Sequence, residues 1–293
     1  MQGVDSLAMP VLDENLLDPR PTGEAPRSIV TEAKDAVHDF WNAASCGEEG
    51  YAIGADEVTR LEAQAQARYR LEPYIRPFAR FEDARDKDVL EIGVGMGADH
   101  IEWARARPRS LAGVDLTERA IRFTQARFAA ASLVSKLQVA DATFDLVYSW
   151  GVLHHSPDTA KAFREVGRVL RPGGVARIMI YHRWSLTGLM LWGRYGLLRG
   201  RPGISLTEIY SRYLESPGTK AYTRADAEAL CLEAGLTSPV IRIQLNHGDL
   251  LEGAVGQRHG GTLLEAAKKL WPRRLLRRLA PFLGLYLLIE ARR

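Results

Sequence analysis

Short apolar runs alternate with helical segments through the middle of the chain. Residues 88–92 (DVLEI), 111–114 (LAGV), 144–150 (FDLVYSW) and 175–181 (VARIMIY) have the length and residue types of buried strands, and helical spacing covers about 117–131 and 158–170. This alternation predicts an α/β fold, a parallel sheet with helices on both faces. Upstream, Thr31 with Glu32 and Asp35 reads as a capped helix start, followed by Val37, Phe40 and Trp41 at helical spacing. A second helix is expected over 56–69, ahead of Pro73 and Pro77. Downstream, a helix over 224–234 ends at Gly235, and apolar runs at 240–245 and 285–289 follow. Residues 1–28 hold Pro10, Pro19, Pro21 and Pro26 among acids with no apolar period, and read as a mobile tail. The remainder, 29–293, is expected to be one domain: helical segments over 29–80, a core over 86–182, an insert over 183–222 and a C-terminal part over 223–293.

Composition narrows the class without choosing a function. Hydrophobic residues at 46% and charged residues at 26% exclude a disordered or fibrous chain. A net charge of +3 does not call for a nucleic-acid partner. Cys46 and Cys231 are far apart and in no Cys-x-x-Cys pair, so no disulfide framework and no metal site is expected. A reducing cytoplasm is the natural setting. The N-terminus lacks the basic start and apolar run of a targeting segment, and 283–289 is too short to cross a bilayer.

The candidate chemistry begins at Glu91-Ile92-Gly93-Val94-Gly95-Met96-Gly97, directly after a strand and before a helix. Glycines there let bare backbone approach a ligand. Asp115, about 22 residues beyond Gly93 at the end of the next strand, is placed to accept hydrogen bonds from a ribose diol. Gly93-x-Gly95-x-x-Ala98 also satisfies the dinucleotide fingerprint, so an NAD-dependent oxidoreductase stands as an alternative. Against it, the Glu91 carboxylate at the strand end would repel a pyrophosphate and suit a cationic or amino-bearing ligand.

The bend together with Asp145-Leu146-Val147-Tyr148-Ser149-Trp150-Gly151-Val152-Leu153-His154-His155 and Val169-Leu170-Arg171-Pro172-Gly173-Gly174 resembles the class I S-adenosylmethionine-dependent methyltransferases. Within them it is similar to the group that includes ubiquinone and menaquinone C-methyltransferases. The resemblance implies a Rossmann-like sheet with an antiparallel final strand, S-adenosylmethionine as cofactor and methyl transfer to a small organic acceptor. By position, Glu91, Gly93, Gly95 and Gly97 would line the methionine end of the cofactor. Asp115 would bind the ribose and Leu116 would lie beside the adenine. Trp150, Gly151, Val152 and Leu153 would floor the pocket near the sulfonium, with Phe40 and Trp41 above it as a lid. Residues 171–174 would be the turn into the next strand. His154, His155, Tyr181 and His182, just past strand ends, are candidate bases for the acceptor's proton.

The chain departs from the family pattern at Asp141. The three Cα steps from Asp141 to Phe144 reach only about 11 Å. The family's third and fourth strands lie roughly 14 Å apart across the sheet. The strand over 137–140 is therefore expected to be displaced or lost, which keeps a cofactor-binding but inactive homologue as a second alternative. The insert carries Trp184, Leu186, Leu189, Met190, Leu191, Trp192, Tyr195, Leu197, Leu198, Tyr210, Tyr213 and Tyr222. It reads either as a cover for an apolar or aromatic acceptor or as a cap with its own core. Near the C-terminus, Leu263, Leu264, Ala267, Leu270, Trp271, Leu275, Leu276 and Leu279 fall on one helical face, opposite Lys268, Lys269, Arg273, Arg274, Arg277 and Arg278. Peripheral contact with an anionic membrane and packing on the domain itself both fit that pattern.

Overall fold

The computed structural model describes residues 29–131, 143–252, 271–278 and 280–293. Its centre is a sheet of order β2-β1-β3-β4-β6-β5. Strands β1 (Asp88–Ile92), β2 (Ser110–Val114), β3 (Phe144–Trp150) and β4 (Leu170–Tyr181) run parallel, and β6 (Tyr286–Arg292) is antiparallel to β4 and to β5 (Thr237–Gln244). The expected α/β architecture with an antiparallel final strand is the one observed. Around the sheet lie α1 (Ile29–Ala43), α2 (Glu57–Leu71), α3 (Ala98–Arg105), α4 (Glu118–Ala130), α5 (Thr159–Val169), α6 (Leu186–Tyr195), α7 (Arg224–Glu233) and α8 (Arg273–Arg278).

Local chemistry explains where the helices start. Asp56, Asp158 and Ser185 each accept a hydrogen bond from the backbone N–H three residues on, and Thr223 and Asp226 form a reciprocal capping box ahead of α7. The central strands are mostly apolar because both faces are covered. Leu90 and Val147 pack with Phe163 and Val166 on one side of the sheet, while Val89, Leu146 and Tyr148 pack with Ile75, Phe81 and Trp103 on the other. Neighbouring residues thus serve opposite cores, as the two-residue period of a strand requires.

Three expectations need correction. The first helix begins at Ile29, two residues before the expected cap. Residues 171–174 are a bulge inside β4: its register with β3 jumps from Phe144↔Leu170 to Leu146↔Val175, and Gly173 takes a φ of 80° there. Leu275 and Leu276 do not share an inward face. The six-residue α8, starting after Pro272, buries Leu276 against Leu186, Leu245 and Leu250 and leaves Leu275 57% exposed. Leu263, Leu264, Ala267, Lys268, Lys269, Leu270 and Leu279 lie outside the described residues, as do 137–141. No helix among the described residues is long and apolar enough to cross a membrane.

Two glycines show how tightly the helices seat. A Cβ on Gly167 of α5 would meet the Ala234 carbonyl oxygen at 2.0 Å, whereas one on Gly193 of α6 would meet nothing within 4 Å. Gly167→Ala should therefore cost about 2 kcal/mol through overpacking against backbone, lowering the melting temperature by roughly 4–8 °C. Gly193→Ala should be neutral or raise it slightly. Equal melting temperatures for the two variants in a calorimetric scan would contradict this packing.

Candidate cofactor and acceptor site

The bend after β1 uses its three glycines for different reasons. Gly93, Gly95 and Gly97 have φ of 82°, 52° and 74°. A Cβ on Gly93 would lie 2.0 Å from Val152 Cγ2, and one on Gly97 3.0 Å from the Thr124 Cα of α4. These two let the chain pack beneath Val152 and against α4. Around Gly95 a Cβ would find open space. Its N–H donates to Asp115 Oδ2 at 3.0 Å, and Asp115 Oδ1 accepts from the Thr117 N–H and hydroxyl, both at 3.0 Å. Burial raises the Asp115 carboxyl above its usual range, so further donors would be welcome there. Beside it Leu116 leaves an apolar side chain 41% exposed. An acceptor of hydroxyl protons, a bare apolar surface and an open glycine backbone are the features that a nucleoside needs.

Glu91 is placed differently from expectation. It is buried, and its Oε2 lies 2.9 Å from His100 Nδ1 on α3. Burial pushes the Glu91 carboxyl up and the His100 imidazole down to about 3, and the two share a hydrogen bond behind the bend. The buried charge nearby belongs to Asp99. It accepts from Arg68 Nε and Nη2 at 3.1 and 2.6 Å and from the hydroxyls of Tyr69 and Tyr148, each at 2.9 Å. Arg68 in turn lies over the Trp150 ring at 5.8 Å. Trp150 also meets Tyr74, Phe78 and Tyr286. Gly151 follows with φ of 75°, its N–H donating to the Met179 carbonyl, and buried Leu153 opens the tight turn that carries both histidines.

Three of the four candidate bases come together. His154 is fully buried between His155 and Tyr181, with ring centroids at 4.2 and 4.0 Å, and neither of its nitrogens has a hydrogen-bond partner. His155 has its Nδ1 2.9 Å from Ser216 Oγ and 3.2 Å from Thr219 Oγ1, and its Nε2 3.5 Å from Glu215 Oε2. The edge of Trp41 on α1 meets its ring at 5.5 Å. Tyr181 donates its hydroxyl to Glu215 Oε2 at 2.7 Å. His182 stands apart, donating from Nδ1 to the Gly284 carbonyl at 3.1 Å.

Sequence reasoning missed Glu215 and Glu72. Glu72 accepts from the hydroxyls of Tyr74 and Tyr286 at 3.2 and 2.7 Å. Cys46 lies within reach of both charges: the burial of its thiol first, and then Glu215 and Glu72, push it up to about 12. A local signal for Glu215 existed, since it is the one acid between Glu208 and Asp226 and opens a Ser-Pro-Gly turn. Nothing local tied it to His155. His154, His155 and Glu215 are compact enough to hold an ion, with ligand atoms within 4.8 Å of one another, but the Lys220 ammonium already acts on His154 and opposes a second cation.

Residues 90–178 match the methyltransferase domain family. The 27-O-demethylrifamycin SV methyltransferase of Amycolatopsis mediterranei is 32% identical over 96 residues, 29% of this chain and 35% of that protein. Norajmaline N-methyltransferase of Rauvolfia serpentina is 28% identical over 182 residues, 54% and 62% of the two chains. The chain thus spans less than two thirds of the length of these curated relatives. A solved geranyl diphosphate C-methyltransferase from Streptomyces coelicolor A3(2), in complex with Mg2+, geranyl diphosphate and S-adenosyl-L-homocysteine, shares the fold with a TM-score of 0.53 at 14% identity, covering 92% of this chain and all of that one. Residues 90–178 thus resemble a methyltransferase domain, and the chain shares the fold of the solved C-methyltransferase.

The unpartnered His154 gives a pH signature. Burial, then His155 and Lys220, hold its pKa well below the ordinary 6.5, so the unfolded chain takes up a proton that the native one refuses. Stability from this residue is complete above 6.5 and falls as pH drops below it, by up to about 1.4 kcal/mol per unit. His154→Phe removes that dependence. Between pH 7.5 and 5.5 the wild type should lose about 1 kcal/mol more than the variant in urea unfolding. Parallel losses would show that His154 titrates normally.

Proposed function

We propose that this protein transfers a methyl group to a small, apolar or aromatic organic acceptor. The observation that carries the reading is the meeting of two half-sites at the C-terminal ends of the parallel strands, where ligands of such sheets bind. One half is the Asp115–Gly95 cradle with Leu116 beside it. The other is the His155–Tyr181–Glu215 cluster beside Trp41 and Cys46. Asp115 holds the ribose hydroxyls, Leu116 flanks the adenine, and Gly93, Gly95, Gly97 and residues 150–153 cradle the methionine end. Glu91 acts from behind the bend, through His100.

Bound S-adenosylmethionine supplies a methyl carbon already activated by its sulfonium. What remains for the chain is alignment and the exclusion of water. Trp41 covers His155 from α1, and the Glu215 segment covers it from the insert. The partly exposed rings of Trp41 and Trp150 suit a flat acceptor, and a quinone-type ring as in the ubiquinone group is one such molecule. The names of the similar proteins specify O-, N- and C-methylation in turn, so kinship alone leaves the acceptor atom open.

Calorimetry with S-adenosylhomocysteine tests the cofactor half. The wild type should bind it, and Asp115→Leu, which replaces the ribose acceptor with an apolar chain, should weaken binding by about 30-fold or more, on the order of 2 kcal/mol. Gly95→Val should act similarly by filling the open space and straining a positive φ. Unchanged dissociation constants in folded variants would refute the assignment.

A further inference from the structure

We infer that Glu215, delivered by the insert, is the base that takes the acceptor's proton, and that the acceptor atom is therefore a protic oxygen or nitrogen. This rests on the methyl-transfer reading above. The argument begins with what the other candidates are already doing. His154 is wholly buried, and His155 Nε2 is buried as well and faces Glu215 Oε2 at 3.5 Å. His155 Nδ1 faces the hydroxyls of Ser216 and Thr219, both on residues with no exposed surface. Tyr181 commits its proton to Glu215, and His182 commits its own to Gly284. His154 and His155 are thus closed to an incoming molecule, Tyr181 already donates to Glu215, and His182 stands apart from the cluster.

Glu215 differs on each count. Its side chain is 28% exposed, and among the described residues no lysine or arginine lies within ion-pair distance of it. Its neighbours are the Tyr181 hydroxyl and His155 Nε2, and its charge reaches the Cys46 thiol. The backbone that brings it there is unusual. Residues Tyr210–Leu214 form a π turn, a wide coil that occurs disproportionately at functional sites, and Glu215 leaves it with φ of −143° and ψ of −122°. Ser216 and Thr219, on the same segment, then clasp His155 Nδ1. The histidine expected to act as base instead anchors the loop that supplies one. His155 and Tyr181 are positioning residues, fixing one carboxylate oxygen while the carboxylate as a whole keeps lone pairs for a ligand.

The proposed step balances. The acceptor's oxygen or nitrogen gives a lone pair to the methyl carbon, the carbon–sulfur pair stays with sulfur, and the acceptor's proton passes to the Glu215 carboxylate. A carboxylate so placed should also attract a fixed positive charge near the methyl position. Sinefungin, in which a carbon bearing an ammonium group replaces the methylated sulfur, is the probe, and S-adenosylhomocysteine is the uncharged reference.

Calorimetry on the full chain should show Glu215→Gln weakening sinefungin by at least fivefold while S-adenosylhomocysteine stays within twofold. Glu215→Asp should keep part of the preference, and it carries the same test if the glutamine variant does not fold. A glutamine variant that binds both ligands as the wild type does, or loses both equally, overturns the assignment. Failure of the wild type to bind S-adenosylhomocysteine would instead remove the cofactor reading itself, which separates the two outcomes.

Discussion

One buried negative charge fixes the geometry on which the site depends. Asp99 is 4% exposed, a position where burial alone would favour its neutral form. Arg68 and the hydroxyls of Tyr69 and Tyr148 more than offset that cost and hold it below the usual carboxylate range. The partners come from α2 and β3, and Asp99 itself from α3, so a single charge locks three elements into one arrangement. Removing any charged partner would strand the other, at a cost of about 3–5 kcal/mol. Because Arg68 also lies over Trp150, the floor of the pocket takes its position from the same contact.

The two halves of the site are built by different physics. The cofactor half is a backbone object, in which positive φ values and missing side chains let the bend fold under Val152 and against α4, leaving Gly95 bare. The acceptor half is a side-chain object assembled from distant segments: α1 gives Trp41, the turn after β3 gives His155, β4 gives Tyr181 and the insert gives Glu215. The insert both covers and packs on itself, since Tyr210 joins the cluster around Tyr181 and Tyr286 while Leu191, Ile204 and Ile209 make a small core of their own. The two readings of this segment describe its two faces.

This division also explains what was legible in the sequence. Strands covered on both faces appear as short, mostly apolar runs, so β1, β3 and the later part of β4 could be read directly. The bend was legible because glycine at 93, 95 and 97 reports a backbone demand. The partner of Glu91 was not legible, because its position beside the glycines says nothing of His100, which reaches it only once α3 folds back onto the sheet. Glu215 was invisible for a related reason: a π turn leaves no periodic trace, and its partners lie 34 and 60 residues earlier in the chain. Leu275 and Leu276 marked the limit of periodicity, since a six-residue helix has room for one inward direction and not for a stripe.

The two N-terminal helices are fastened by unequal means. α2 is tied down through the interior pair of Arg68 and Asp99, whereas α1 is held by Trp41 on His155, by Asn42 accepting from the Arg119 backbone, and by the half-exposed contact of His38 with Glu118. Surface contacts of that kind are worth little individually and weaken as salt is added. The electrostatic share of α1's attachment is therefore open to ionic strength, while the interior pair that seats α2 is shielded from it.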